Sequence, residues 1–102
     1  MKFNHFVYIY LGPDLDPTVH RSDIKTDKLT FSAIGIAFDQ KEKVIAVAQQ
    51  VIAEGAQMIE LCGGFGPLWI AKVSTAINGQ VPVGSVAYGP EARQPLIDLL
   101  RN

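Results

Sequence analysis

Strand-like and helix-like segments alternate along most of this chain, and that alternation constrains its fold more than any other feature. Short apolar runs rich in β-branched and aromatic residues predict four strands, at residues 6–10, 29–38, 58–62 and 81–88. Helical patterns follow the last three strands, starting at Asp39, at Leu68 and after Pro90. Such alternation is typical of a mainly parallel sheet with right-handed crossovers. We therefore predict an α/β fold, a small β-loop-βαβαβα sandwich with three helices.

The clearest helix signals lie between Asp39 and Gly55. Asp39 and Glu42 form a D-x-x-E variant of the capping box. Gly55 is placed to end the helix. One apolar stripe at helical spacing consists of Val44, Ala48, Val51 and Ile52. The stripe predicts that this helix packs one face against a sheet.

Size and charge narrow the class of protein. At 102 residues the chain can bury one hydrophobic core, so we predict a single domain over residues 1–102. Its net charge of -1 offers no basic patch for nucleic acid or for a membrane surface. No apolar run reaches the ~18 residues of a membrane span, and we expect no signal peptide. A single cysteine forms no internal disulfide, so we expect a cytoplasmic location.

A glycine-rich turn, ELCGGFGP at residues 60–67, joins the third strand to the second helix. Such a turn exposes backbone N–H groups at a helix N-terminus, where anions are attracted. The motif is neither G-x-G-x-x-G nor a P-loop, and its glycines could equally serve a tight turn with positive φ. The ligand-binding residues that we predict here are Gly63, Gly64, Phe65 and Gly66, with Tyr88 at the end of the last strand.

Cys62 and Glu60 are the candidate catalytic residues. A thiol at the carboxyl end of a strand can be an activated nucleophile, although a lone cysteine is more often a small buried hydrophobe. Because the two residues are two apart on a strand, their side chains share a face. Glu60 could serve Cys62 as an acid–base partner, pair with Lys72 or with a loop cation, or face water. His20 could reach Cys62 only if its loop folds over the sheet edge.

Residues 13–28 form a long polar segment between the first two strands, and loops of this length are usually functional or mobile. His20 and Arg21 offer a switchable and a fixed cation to an anionic ligand. Asp14 joins the same edge if the first strand is parallel to the others. Asp14 and Asp16 lack the ligand spacing of a calcium loop, so we predict no metal site.

Three motifs resemble those of a bacterial family of small single-domain proteins, described only as a domain of unknown function. They are GPDLDP at 12–17 followed by His20 and Arg21, ELCGGFG at 60–66, and VPVG at 81–84 followed by Tyr88 and Gly89. The resemblance extends over nearly the whole chain, and the cysteine-glycine motif is its most specific part. It implies a stand-alone cytoplasmic protein, and it assigns no catalytic residue.

These observations favour a protein that binds an anionic small molecule at the carboxyl ends of its strands, without a cofactor. One alternative is a small enzyme that uses Cys62 with Glu60 or His20, the glycine turn being its oxyanion hole. Another is a non-catalytic assembly module, for which the candidate contact residues are Tyr8, Tyr10 and Trp69. The exposed edges of a four-stranded sheet predict a homodimer.

Overall fold

The fold is built on one five-stranded sheet. The computed structural model describes residues 2–101. The strands are β1 (His5–Gly12), β2 (Arg21–Lys25), β3 (Thr30–Ala37), β4 (Met58–Leu61) and β5 (Val83–Ser85). Their order across the sheet is β2-β3-β1-β4-β5. Only β2 is antiparallel to its neighbour, so the carboxyl ends of the other four strands lie at one edge.

Helices follow β3, β4 and β5. They are α1 (Val44–Ala53), α2 (Gly66–Ala76) and α3 (Arg93–Leu100), and short 3-10 helices at Phe38–Lys43 and Pro90–Ala92 precede α1 and α3. Pro95 lies in the first turn of α3, where its missing N–H costs no helical hydrogen bond. Among residues 2–101, no helix is both long and apolar enough to cross a membrane.

The predicted α/β class is confirmed, but the sheet has five strands instead of four. The additional strand, β2, lies in the polar segment 13–28 that we interpreted as a loop. Four of its five residues are exposed, so its sequence lacks the alternation of apolar residues that marks a half-buried strand. Pairing with β3, from Arg21 opposite Ile34 to Lys25 opposite Thr30, holds β2 in place.

The predicted capping box is also wrong. Among residues 2–101 no side chain caps the 3-10 helix or α1, and β3 runs directly into the 3-10 helix at Phe38, which leaves Asp39 inside it. The extended capping position that Asp39 was predicted to hold is taken by Ala37, whose methyl side chain cannot accept a hydrogen bond. The end of α1 is as predicted, with Gly55 at φ +104°.

Both long helices cover the same face of the sheet. The connections from β3 to β4 and from β4 to β5 step the same way across the sheet, and right-handed crossovers then place α1 and α2 together. The core lies between them and the sheet. Its fully buried apolar side chains are Val7, Ile9, Ile36, Val44, Val51, Ile59, Leu61 and Val73.

The opposite face of the sheet, called the open face here, is occupied by neither α1 nor α2. By register its residues are Phe6, Tyr8, Tyr10, Gly12, Ser22, Ile24, Phe31, Ala33, Gly35, Ala37, Met58, Glu60 and Gly84. The rings of Phe6 and Phe31 pack at 5.1 Å between centroids, and Tyr8 stacks on Tyr10 at 6.0 Å. Most of these side chains are half-buried, and none belongs to the core between sheet and helices.

An ion-pair network ties β2 to the end of α1. The guanidinium of Arg21 donates to both carboxylate oxygens of Glu54, at 2.6 and 3.1 Å, and its Nε donates to Asp23 at 3.2 Å. The buried Ser32 hydroxyl donates to Asp23 as well. The Ser32 hydrogen bond chiefly lowers the pKa of Asp23, and the Arg21 hydrogen bonds chiefly lower that of Glu54. Arg21 therefore has a structural role at the sheet edge.

Replacing Arg21 with lysine is expected to lower the free energy of unfolding by about 1 kcal/mol at pH 7, since the partly exposed bidentate pair is lost. Both carboxylates have lowered pKa values in the folded state, so their contribution is complete above about pH 4.5 and is lost as the pH falls through the folded pKa values. The difference between the two proteins should therefore shrink towards pH 3 in urea titrations. Arg101→Lys is the control, because its pair with Asp98 is largely exposed.

Candidate functional site

The glycine turn lies where the sequence predicts it, between the end of β4 and the start of α2. Gly63 and Gly64 are exposed, and within residues 2–101 their N–H groups have no hydrogen-bond acceptor. A Cβ on Gly63 would stand 3.2 Å from the carbonyl oxygen of Val86, so this turn approaches the segment after β5 closely. Gly66, at φ +77°, adopts the left-handed conformation that favours glycine. The turn therefore presents free backbone donors in a conformation fixed by its glycines.

Phe65 differs from its neighbours in the turn. Its side chain is 3% exposed and belongs to the hydrophobic core, while its N–H donates to the Cys62 carbonyl at 3.1 Å. The side chain anchors the turn to the core. Of the four predicted turn residues, the three glycines are thus the ones that present accessible groups.

Cys62 follows β4 and is half-buried. Its Sγ accepts a hydrogen bond from the N–H of Leu11 at 3.3 Å, and its own N–H donates to Ile9 at 3.0 Å. These bonds fix the thiol between the ends of β1 and β4. Neither imidazole is placed beside it, because His5 begins β1 at the opposite end of the sheet and His20 precedes β2.

Four polar side chains lie near this turn on the side of the open face, those of Tyr8, Glu60, Cys62 and Tyr88. Tyr8 is opposite Glu60 in the β1–β4 register. Burial raises the pKa of the Tyr8 phenol, and the charges of Cys62, Tyr88 and Glu60 raise it further. Tyr8 therefore keeps its proton at neutral pH and can donate a hydrogen bond. From the sequence, Tyr8 was only a candidate contact residue of an assembly module, and strand register is what brings it to Glu60.

Lys72 and Trp69 of α2 contact each other, and Lys72 does not approach Glu60 as an ion-pair partner would. Lys72 lies over the ring of Trp69, with its Nζ 4.3 Å from the centroid, and among the described residues it makes no ion pair with Glu60. Trp69 packs against the core from α2, on the covered side of the sheet. Among the described strand residues, Glu60 is the one charged residue that the register places on the open face.

The predicted loop residues lie apart from the glycine turn. The hydrogen bonds of His20 are made within its own segment and to β3. Its Nδ1 accepts from the N–H of Asp16 at 2.9 Å, and its carbonyl oxygen accepts from the N–H of Gly35. β3 and β1 separate this segment from β4, a distance of about 14 Å at the usual strand spacing. Arg21 is held by Glu54 on the covered side. Asp14, at φ 60°, is an exposed turn residue after β1.

A cavity of about 470 Å³ lies on the covered side, between the loop before β2 and α1. The charged residues in its lining are Asp16, Arg21 and Lys43. Arg21 is already held by two carboxylates, which leaves Lys43 as the cation of this lining that makes no ion pair within residues 2–101. Within residues 2–101, no three His, Cys, Asp or Glu side chains are grouped as metal ligands.

The comparisons with known proteins give a family. Residues 4–100 match a family of unknown function, DUF6506. The chain belongs to the DUF6506 family. The resemblance predicted from the three motifs, to a family described only as a domain of unknown function, is thereby confirmed. For this DUF6506 protein, neither the search of curated proteins nor the search of solved structures finds a match. Its function is therefore argued from the site alone.

Proposed function

We propose that this protein binds a small molecule with an anionic group at the carboxyl ends of β1, β4 and β5. One observation carries the proposal: the side chains of Cys62 and Tyr88 lie against Gly64 and Gly63 of the turn, and Tyr8 lies opposite Glu60 on the neighbouring strands. The turn itself contributes the unbonded N–H groups of Gly63 and Gly64. In open α/β sheets, ligands bind beyond the carboxyl ends of the strands, which is where these groups lie.

The chemistry of the groups indicates the kind of ligand. The N–H groups of the turn and the start of α2 attract an anion such as a phosphate or a carboxylate. The Tyr8 hydroxyl, protonated at neutral pH, is a further donor. Glu60 precedes Cys62 by two residues, which is about 7 Å along the strand, and its carboxylate accepts hydrogen bonds. The ligand that suits this arrangement has an anionic group at one end and a hydroxyl or amine at the other.

A thermal-shift panel tests the proposal, with inorganic phosphate, phosphorylated metabolites, nucleotides, acyl thioesters and small carboxylates. A ligand at about 100 times its dissociation constant adds about 2.7 kcal/mol, which is a shift of roughly 10 °C or more for a domain of this size. Tyr8→Phe is expected to weaken that ligand about fivefold, because one hydrogen bond of about 1 kcal/mol is lost. The control is His20→Gln, a change in an exposed residue about 14 Å away.

A protein that no member of the panel stabilises would argue against the proposal. So would a ligand whose binding is lost with His20→Gln and kept with Tyr8→Phe, because that pattern places the ligand in the loop before β2. In both outcomes the glycine turn would be a packing feature.

A second candidate function is a small enzyme that uses Cys62 with Glu60. The hydrogen bond from the Leu11 N–H favours it, because it holds the Cys62 sulfur in a fixed position beside the glycine turn. Cys62→Ser in the same panel separates the two functions. If the thiol is passive, the variant keeps the ligand-induced shift and wild-type Cys62 alkylates at the rate of an ordinary thiol. Rapid alkylation near neutral pH would favour the enzyme.

A further inference from the structure

We infer that the open face of the sheet, together with α3, is the interface of a homodimer. The sequence predicts a homodimer from exposed sheet edges, but the edges are poorly suited to pairing. β2 is short and carries Arg21, Asp23 and Lys25, and Pro82 immediately precedes the three-residue β5. Charged, short and proline-flanked edges discourage edge-to-edge association. The apolar surface that lacks a partner is the part of the open face beyond Leu15, whose side chain packs on Gly12 and Gly35.

The open face has the composition of an interface core. Apolar and aromatic side chains dominate it, and of the described strand residues on this face only Glu60 is charged. Aromatic residues and methionine are enriched in interface cores, and charged residues are depleted there. Ile24, on β2 opposite Phe31, is 61% exposed and extends this apolar surface to the sheet edge.

α3 supplies a second apolar surface. It buries none of its residues and contributes none to the hydrophobic core. Its apolar residues recur at helical spacing, at positions 96, 97, 99 and 100, and Leu99 and Leu100 are 77% and 64% exposed. An amphipathic helix is stabilised mainly by packing its apolar face, so α3 lacks the partner that such a helix needs.

The area fits a second copy of this chain. The accessible surface is 6666 Å², about 1,000 Å² more than a compact monomer of 11.1 kDa exposes. The radius of gyration, 14.1 Å, likewise exceeds the value of about 13 Å for this length. A standard protein interface buries about 800 Å² on each partner, so the excess is large enough to supply one side of a stable dimer. A second copy bound to the open face also forms one side of the proposed ligand site, next to Tyr8 and Glu60.

Light scattering coupled to size exclusion tests for the dimer without any ligand. A negative result for the dimer is therefore distinct from a negative result for ligand binding. The wild-type protein is expected at twice 11.1 kDa. Ile24→Lys and Leu99→Glu each place a charge in the interface, and each should raise the dimer dissociation constant at least tenfold. Both side chains are exposed in the single chain, so its own fold should survive, as circular dichroism would verify.

The matched control is Leu68→Glu. Leu68 is 63% exposed on α2, which packs on the covered side, and its substitution should leave the dimer unchanged. A wild-type protein that is monomeric at about 100 µM, far above the dissociation constant of a standard-sized interface, would overturn the inference. A dimer unaffected by both Ile24→Lys and Leu99→Glu would overturn it as well.

Discussion

Leu61→Ala is expected to lower the free energy of unfolding by about 3–4 kcal/mol, because it leaves a cavity in the core that the surrounding buried side chains fill only in part. Leu61 is fully buried at the end of β4, directly before Cys62. For a domain of about 100 residues, the melting temperature should fall by about 12 °C or more. Differential scanning calorimetry and urea titration measure the loss.

Leu68→Ala provides the matched comparison for this core substitution. It deletes the same atoms, only seven positions further along the chain, from a side chain that is 63% exposed. Its effect should lie within about 0.5 kcal/mol of zero, as for most surface substitutions. If the two variants lose similar stability, the division between the covered face and the surface of α2 described above is incorrect.

Gly66→Ala is expected to destabilise the protein by about 1–2 kcal/mol, although a Cβ there would meet no atom within 4 Å. The cost comes from the backbone, because Gly66 has φ +77° at the start of α2. Gly84→Ala separates this cause from crowding. Within one chain an added Cβ at Gly84 also meets nothing within 4 Å, and its φ lies outside the left-handed region, so the change should be neutral or slightly stabilising for the monomer.

Equal stability losses for Gly66→Ala and Gly84→Ala in urea titrations would contradict the backbone explanation. A loss at Gly66 alone would support a turn whose conformation is fixed by its glycine. It would also supply a folded variant in which ligand affinity can be compared with the wild-type protein, since the substitution removes no N–H group.

Much of the fold follows from local patterns in the sequence. The apolar stripe of α1 and the strand at Met58–Leu61 are encoded by periodicity, and Gly55 marks the end of α1. β2 is not encoded in this way, because hydrogen bonds to β3 and the Arg21 network hold it while its side chains face solvent. Asp39 was misinterpreted because a capping motif does not reveal whether a loop precedes the helix.

The site was predictable only in part. The glycine turn could be located because a strand pattern runs into it and a helix pattern runs out of it. The gathering of Tyr8 with Glu60 depends on strand order and register, which the sequence of one chain does not specify. The same reason explains why His20 and Arg21, predicted beside the turn, lie with two strands between them and β4. The open face was not predictable either, because the sequence does not specify that α1 and α2 cover the same face of the sheet.

The most direct measurement is a titration of the ¹⁵N-labelled protein with the best ligand of the panel, followed by amide chemical shifts. The proposed site predicts that the largest shifts occur at the free N–H groups of Gly63 and Gly64, with smaller ones at Tyr8 and Tyr88. Shifts confined to the cavity between the loop and α1, at Arg21 and its neighbours, would contradict the proposed site.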